Sequence, residues 1–116
     1  MKARIYGIRN CDTMKKAFAW LDAKKIPYDF HDYKKEGVPP GKLKEWAAQA
    51  GWEKLVNARG PTWRKIPEAQ RSFPTEARAL ALLEHNTSAI KRPIVEAGSK
   101  LLIGFDPAEY AATLRQ

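Results

Sequence analysis

Residues 3–33, ARIYGIRNCDTMKKAFAWLDAKKIPYDFHDY, carry the pattern of one strand, one helix and a second strand. Residues 3–8 are rich in β-branched and aromatic side chains, which predict a short buried strand. After a turn at residues 9–12, apolar side chains recur at helical spacing to about residue 24, with Asp12 or Thr13 as the expected N-cap. Residues 27–33 begin at a proline, and the side chains of Tyr28, Phe30 and Asp32 alternate with those of Asp29, His31 and Tyr33, which predicts a second strand. The chain therefore opens as a β-α-β unit.

The C-terminal part of the chain returns to strand patterns. Residues 93–97 and 100–105 are mostly apolar, and Gly98-Ser99 between them is a two-residue turn signal, so we expect a β-hairpin. Asp106 followed by Pro107 is typical of a helix start, and this last helix is expected to run to about residue 114. Between the two halves, residues 37–41 (GVPPG) break the pattern, and residues 42–49, 53–56 and 75–85 predict helical pieces.

These patterns predict an α/β protein with a thioredoxin-like fold. The βαβ and ββα halves would share one four-stranded mixed sheet, with a helical insertion of about residues 37–89 between them. A length of 116 residues is typical of a single domain, so one domain is expected over residues 1–116. The fractions of hydrophobic residues (44%) and charged residues (29%) are those of folded proteins and exclude a disordered chain.

Composition also narrows the classes of function. The net charge of +8 favours anionic partners. The basic residues are spread along the chain without an interleaved aromatic ladder, so nucleic acid binding is not expected. No apolar run is long enough for a signal peptide or a membrane span, which predicts a cytoplasmic protein with no membrane partner. The two histidines have no neighbours at metal-ligand spacing, so no metal site is expected.

Cys11 is the candidate catalytic residue. It is the single cysteine of the chain, so redox chemistry at this site needs a thiol from another molecule. A thiol at the start of a helix faces unpaired backbone N–H groups and the positive end of the helix dipole, which predicts a depressed pKa for Cys11. Arg9 and Lys15 are close enough in sequence to add to this effect. The alternative is a small buried hydrophobic residue, the usual role of a free cysteine.

Two arginines are candidates for anion binding. Arg59 lies in the Gly- and Pro-containing segment NARGPTWRK (residues 57–65), which predicts a loop whose guanidinium could hold an oxyanion or a carboxylate. A solvated loop arginine is the alternative for this position. Arg92 directly precedes Pro93, which opens a predicted strand. A cis bond at Arg92-Pro93 would present backbone to a bound substrate.

Three segments of the chain, taken in order, resemble the arsenate reductase (ArsC) family. They are YGIRNCDTMKKAFAWL (residues 6–21), NARGPTWRK (57–65), and IKRPIVE followed by LLIGF (90–96 and 101–105). The resemblance extends from residue 3 to about residue 110 and is nearest to the YffB branch, which is related to the Spx regulators. It implies a thioredoxin-like fold with a helical insertion, in agreement with the pattern of strands and helices.

The resemblance also implies residue roles. Cys11 matches the family's nucleophile, and Arg59 and Arg92 match two of the arginines that bind the oxyanion in arsenate reductases. Pro93 matches the proline that is cis in thioredoxin-like proteins. The predicted substrate- or glutathione-binding set is completed by two residues beside the cysteine, Asn10 and Lys15.

Two departures from the family pattern guide the functional hypothesis. Gly104-Phe105-Asp106 stands where arsenate reductases carry a further arginine, and Cys11-Asp12-Thr13-Met14 stands where redox-sensing Spx proteins carry a CxxC pair. The resulting hypothesis is a glutathione-dependent thiol reductase with one cysteine nucleophile, no bound cofactor, and glutathione as co-substrate. One alternative is an arsenate reductase that uses glutathione or glutaredoxin. Another is a non-catalytic, Spx-like regulator that binds RNA polymerase.

Overall fold

The computed structural model describes residues 2–58, 60–68 and 75–114, which group into two compact units. The first unit combines Met1–Glu36 with Arg92–Gln116, and the second is Gly37–Lys91. The expectation of a single domain over residues 1–116 stays a prediction. Among the described residues, none of the helices has the length and apolar character needed to cross a bilayer.

A four-stranded mixed sheet organises the first unit. Its strands are β1 (Ala3–Gly7), β2 (Tyr28–Asp32), β3 (Ile94–Ala97) and β4 (Lys100–Ile103). They lie in the order β2-β1-β3-β4, where β1 is parallel to β2 and antiparallel to β3, and β3 is antiparallel to β4. The sheet confirms the predicted combination of a βαβ half and a ββα half. The helices of this unit are α1 (Asp12–Ala23), α2 (Tyr33–Glu36) and a C-terminal helix, Pro107–Leu114.

The core of the first unit lies against one face of this sheet. Helix α1 contributes Met14, Ala17 and Leu21, whose spacing places them on one helical stripe, and all three are fully buried. Gly7 at the end of β1 lets α1 approach closely, because a Cβ there would lie 2.5 Å from the Met14 sulfur. The other members of the cluster come from the strands, the turn after α1 and the last helix: Ala3, Ile5, Ile26, Val95, Ala97, Leu102, Tyr110 and Leu114.

The end of β2 differs from the sequence expectation. The strand ends at Asp32, and Tyr33 begins the short helix α2 instead of continuing the strand. The physical cause is side-chain capping: the Asp32 carboxylate accepts hydrogen bonds from the backbone N–H groups of Lys34 at 3.0 Å and Lys35 at 3.3 Å. Alternation of residue types does not reveal this change from strand to helix.

The second unit is helical, as its sequence predicts. It contains α3 (Lys42–Ala50), α4 (Pro61–Lys65) and α5 (Glu76–His85), with short 3₁₀ turns at Trp52–Leu55 and Thr87–Ala89. Helix α4 corrects the expectation of a loop over residues 57–65, since a proline in its first turn is compatible with a helix start.

The C-terminal helix of the first unit, Pro107–Leu114, is α6. The Asp106 carboxylate accepts from the Ala108 N–H at 3.0 Å, which confirms the predicted start of α6.

Candidate active site

Cys11 is itself the N-cap of α1. Its backbone is extended, with φ −148° and ψ 132°, and its carbonyl accepts the Lys15 N–H at 2.9 Å. The expectation of Asp12 or Thr13 as the N-cap is therefore wrong, because the helical conformation already begins at Asp12. Cys11 is a free cysteine and is partly exposed.

Arg92 supplies the charged partner of the thiol. Its Nε donates to the Cys11 Sγ at 3.3 Å. The peptide bond between Arg92 and Pro93 is cis, as the family resemblance implies, and Pro93 is buried. Because Ile94 pairs with Tyr6 in the antiparallel ladder, Arg92 lies beyond the C-terminal end of β1, where the Cys11 loop begins. Strand pairing therefore brings together two residues that are far apart in sequence.

The surroundings of Cys11 favour its thiolate. Burial alone would raise the pKa of the Cys11 thiol. The backbone N–H groups of Met14 and Thr13, together with the hydrogen bond and positive charge of Arg92, outweigh burial and lower the pKa below its ordinary value. No side chain completes a capping hydrogen bond at this N-cap, so the N–H groups of the first turn act on the sulfur at longer range. The depressed pKa predicted from the sequence is confirmed in direction.

The positive charge next to the sulfur comes from a different residue than the sequence suggested. The Arg9 guanidinium lies over the Phe30 ring, 5.1 Å from its centroid, in a cation–π contact. The Lys15 side chain is exposed, and the hydrogen bond between Lys15 and Cys11 joins the Lys15 N–H and the Cys11 carbonyl of the backbone. Arg92, which is partly buried, is the cation that lowers the Cys11 pKa.

Tyr33 is a component of the site that the sequence did not reveal. Its side chain is fully buried, and its hydroxyl oxygen accepts a hydrogen bond from the Arg92 guanidinium. Burial raises the pKa of Tyr33 well above its ordinary value despite the opposing charge of Arg92, so the side chain stays a neutral phenol. The one signal in the sequence is its position directly after a strand parallel to the strand that leads to Cys11.

The remaining candidates differ in how the structure places them. Asn10 is exposed beside Cys11, as is Lys15 at the first turn of α1. Arg59 lies outside the described residues, and its role stays a prediction. Within residues 2–58, 60–68 and 75–114, no three His, Cys, Asp or Glu side chains are grouped closely enough to hold a metal ion.

Comparison with known sequences gives matches over almost the whole chain. The sequence model of the ArsC family matches residues 6–113. An uncharacterized protein of Haemophilus influenzae is 43% identical over 108 residues, which cover 93% of this chain and 95% of that protein. The global transcriptional regulator Spx of Listeria innocua is 25% identical over 107 residues, covering 90% of this chain and 81% of Spx.

Comparison with solved structures gives a consistent result. The YffB protein is 48% identical, with a TM-score of 0.92 over 97% of this chain and 98% of that chain. An arsenate reductase (ArsC) related protein from Brucella melitensis is 46% identical, with a TM-score of 0.77 over 100% and 97% of the two chains. A glutaredoxin from Archaeoglobus fulgidus, 11% identical with a TM-score of 0.52, shares the fold alone. These matches confirm the thioredoxin-like fold.

Proposed function

The chain belongs to the ArsC family, and from this premise we propose that it is a monothiol oxidoreductase that uses glutathione to reduce oxidised thiols. The observation that supports this most directly is the 3.3 Å contact between the Arg92 Nε and the Cys11 Sγ at the N-cap of α1. A thiolate, not a thiol, is the nucleophile in disulfide exchange, and this contact favours the thiolate.

The proposed reaction consists of two disulfide exchanges. The Cys11 thiolate attacks the glutathionyl sulfur of a mixed disulfide, and the substrate leaves as a thiolate that takes up a proton from water. Cys11 is then bound to glutathione through a disulfide. The thiolate of a second glutathione attacks the glutathionyl sulfur of that disulfide, which releases oxidised glutathione and restores the Cys11 thiolate. The substrate sulfur is reduced, and glutathione is oxidised.

Glutathione suits this site for two reasons. The chain has one cysteine, so the thiol that resolves the adduct must come from another molecule. Glutathione also carries two carboxylates, which a chain of net charge +8 attracts. Once Cys11 is in a disulfide its negative charge is gone, and the Arg92 guanidinium is then available to donate to a glutathione carboxylate or to the incoming thiolate. Arg59, Asn10 and Lys15 are proposed to hold other parts of glutathione.

The test follows the Cys11 adduct and turnover together. We would incubate the protein with the mixed disulfide of glutathione and 2-mercaptoethanol, record the intact mass, and measure turnover with glutathione, glutathione reductase and NADPH. The expected results are one glutathionyl group on Cys11 and steady NADPH consumption. Cys11→Ser should lose both. Turnover by Cys11→Ser at the wild-type rate, or no adduct on folded wild-type protein, would rule out this function.

Arsenate reduction is the second candidate, because the Brucella relative is described as related to arsenate reductase. Asp106 occupies part of the segment where the family resemblance places a further arginine, and its carboxylate accepts from the Ala108 N–H at the start of α6. A carboxylate there does not attract an oxyanion, which favours a thiol substrate. An arm of the same assay with arsenate in place of the mixed disulfide distinguishes the two substrates.

The Spx relative suggests a third hypothesis, in which the protein binds RNA polymerase and has no catalytic role. A pull-down of RNA polymerase from lysate with wild-type protein and Cys11→Ser separates it from the enzyme. A regulator of this kind would retain the polymerase with both proteins, and neither would turn over the mixed disulfide. We expect neither protein to retain the polymerase, and we expect the wild type to turn over the mixed disulfide while Cys11→Ser does not.

A further inference from the structure

We propose that Tyr33 is a positioning residue of this site: its buried hydroxyl holds the Arg92 guanidinium in the orientation in which Nε donates to the Cys11 sulfur. Any effect of Tyr33 on turnover rests on the proposed function. Its effect on the acidity of the Cys11 thiol does not, because that acidity follows from contacts within the site.

The sheet register brings these residues to one edge. Gly7 at the end of β1 pairs with Asp32 at the end of the parallel strand β2, so Tyr33 follows at the carboxyl edge of the pair. Strand β3 runs in the opposite direction, so Arg92 precedes it at the same edge. The loop to Cys11 leaves β1 there as well. Three distant segments therefore deliver the thiol, the guanidinium and the phenol to one place.

Tyr33 is held more firmly than the arginine that it contacts. Its side chain is fully buried, and the Asp32 carboxylate fixes the backbone after it through hydrogen bonds to the Lys34 and Lys35 N–H groups. Arg92 is only partly buried and has a long side chain with many rotamers. A fixed acceptor that binds one part of the planar guanidinium limits the directions in which Nε can point.

The neutral state of Tyr33 matters for this role. The charged groups that act on the phenol are Arg92, Cys11 and Asp32, and burial outweighs the favourable charge of Arg92 in keeping the phenol protonated. A neutral oxygen accepts a hydrogen bond from Arg92 without neutralising its charge. The positive charge is therefore left to stabilise the thiolate.

Tyr33→Phe tests the proposal, with Tyr110→Phe as the matched control. Tyr110 is also buried (1% exposed) and hydrogen-bonded, but its hydroxyl donates to the Gly104 carbonyl at 2.6 Å, and Tyr110 is not among the groups that act on the Cys11 pKa. The readout is the rate of Cys11 alkylation by iodoacetamide as a function of pH. We expect Tyr33→Phe to raise the alkylation midpoint and to lower the rate at neutral pH about two- to tenfold, as loss of one hydrogen bond allows. Tyr110→Phe should leave the alkylation midpoint unchanged.

A second background shows whether Tyr33 acts through the arginine. In Arg92→Ala protein, adding Tyr33→Phe should not move the alkylation midpoint further. An unchanged midpoint in folded Tyr33→Phe protein, or an equal shift in both backgrounds, would overturn the proposal. Alkylation requires no glutathione, so failure of the turnover assay in wild type would remove the proposed function without affecting this result.

A measurement on the wild-type protein covers the case in which Tyr33→Phe does not fold. Solvent exchange of the Arg92 Nε–H can be followed by NMR. We expect slow exchange relative to that of the exposed Arg78, because the Arg92 guanidinium is fixed between the sulfur and the phenol. Exchange as fast as that of Arg78 would show that the Arg92 side chain is not held, which overturns the proposal.

Discussion

The Arg92 Nε lies 3.3 Å from the Cys11 Sγ, although the two residues are 81 positions apart in the chain. They meet because β3 returns antiparallel beside β1, with Ile94 opposite Tyr6, and Arg92 lies two residues before Ile94, at the entry to that strand. The thiol and its cation are thus attached to neighbouring strands of one sheet. The acidity of Cys11 therefore depends on the pairing of β1 and β3 as well as on the helix that follows the thiol.

Substitution of Arg92 should affect both thiol acidity and turnover. Arg92→Ala removes a charge-assisted hydrogen bond worth roughly 1.5–3 kcal/mol, which corresponds to about a tenfold to hundredfold loss in kcat/KM. Arg92→Lys should recover part of this loss, since it keeps the charge but lacks the planar fork. The measurements are kcat/KM with the mixed disulfide and the pH midpoint of Cys11 alkylation.

Arg9→Ala is the control for Arg92→Ala. It removes a positive charge close to Cys11 in sequence, but the Arg9 guanidinium lies over Phe30. We expect a Cys11 alkylation midpoint near that of the wild type. A shift as large as that of Arg92→Ala would mean that general positive charge, not the specific contact with Sγ, sets the thiol acidity.

The lowered pKa of Cys11 makes stability depend on pH in a defined direction. A thiol whose pKa is lower in the folded than in the unfolded protein stabilises the fold fully above the unfolded pKa, about 8.5, and loses this contribution as pH falls through the folded pKa. Between these two pKa values, the free energy of unfolding of wild type should therefore rise with pH relative to Cys11→Ser. Urea unfolding of both proteins across this range measures the difference. A difference that is constant with pH would contradict the lowered pKa.

Gly7→Ala should destabilise the contact between β1 and α1. The added Cβ would lie 2.5 Å from the Met14 sulfur, and the Met14 side chain is fully buried, so it has little room to move. Overpacking of this kind costs about 1–3 kcal/mol. The free energy of unfolding from urea titration measures the cost. In a Met14→Ala background, Gly7→Ala should cost clearly less, and equal costs in both backgrounds would point to a cause other than this contact.

Arg59 is a prediction from sequence and family resemblance. Arg59→Ala is expected to lower kcat/KM about tenfold to hundredfold through loss of a charge-assisted hydrogen bond to an anionic substrate or to glutathione. Arg64→Ala, in the neighbouring helix α4, is a control for loss of charge in the same segment. Circular dichroism shows whether the variants are folded. If folded Arg59→Ala turns over substrate at the wild-type rate, this arginine does not bind substrate.

Local patterns predicted most elements of the first unit. Helix α1 has its apolar side chains at Met14, Ala17 and Leu21 as the periodicity indicates, and the hairpin turns at Gly98, whose φ of +63° suits glycine. These features depend on backbone hydrogen bonds and side-chain spacing between near neighbours, which a sequence shows directly. The cis bond at Pro93 was implied by the family resemblance and is confirmed, whereas the assignment of Cys11 as the reactive thiol, from helix position and the same resemblance, stays a prediction.

The helix starts were predicted less well than the helices themselves. The expected N-cap at Asp12 or Thr13 was wrong, and Tyr33 was assigned to β2 although it begins α2. Both errors occur where a backbone changes conformation within one residue. At such points several residues satisfy the same preference, and small differences in local hydrogen bonding select among them.

Only the tertiary structure decided which side chains lower the pKa of the Cys11 thiol. Arg9 and Lys15 are near Cys11 in sequence, but the cation at the sulfur is Arg92, and the phenol that contacts Arg92 is Tyr33. Their proximity results from the register of β1 with β2 and β3, in which Gly7 pairs with Asp32 and Tyr6 with Ile94. A helix or a turn is encoded by neighbours a few residues apart. Contacts between distant segments form only when the whole sheet is assembled, because burial of its apolar face is what fixes the strand register.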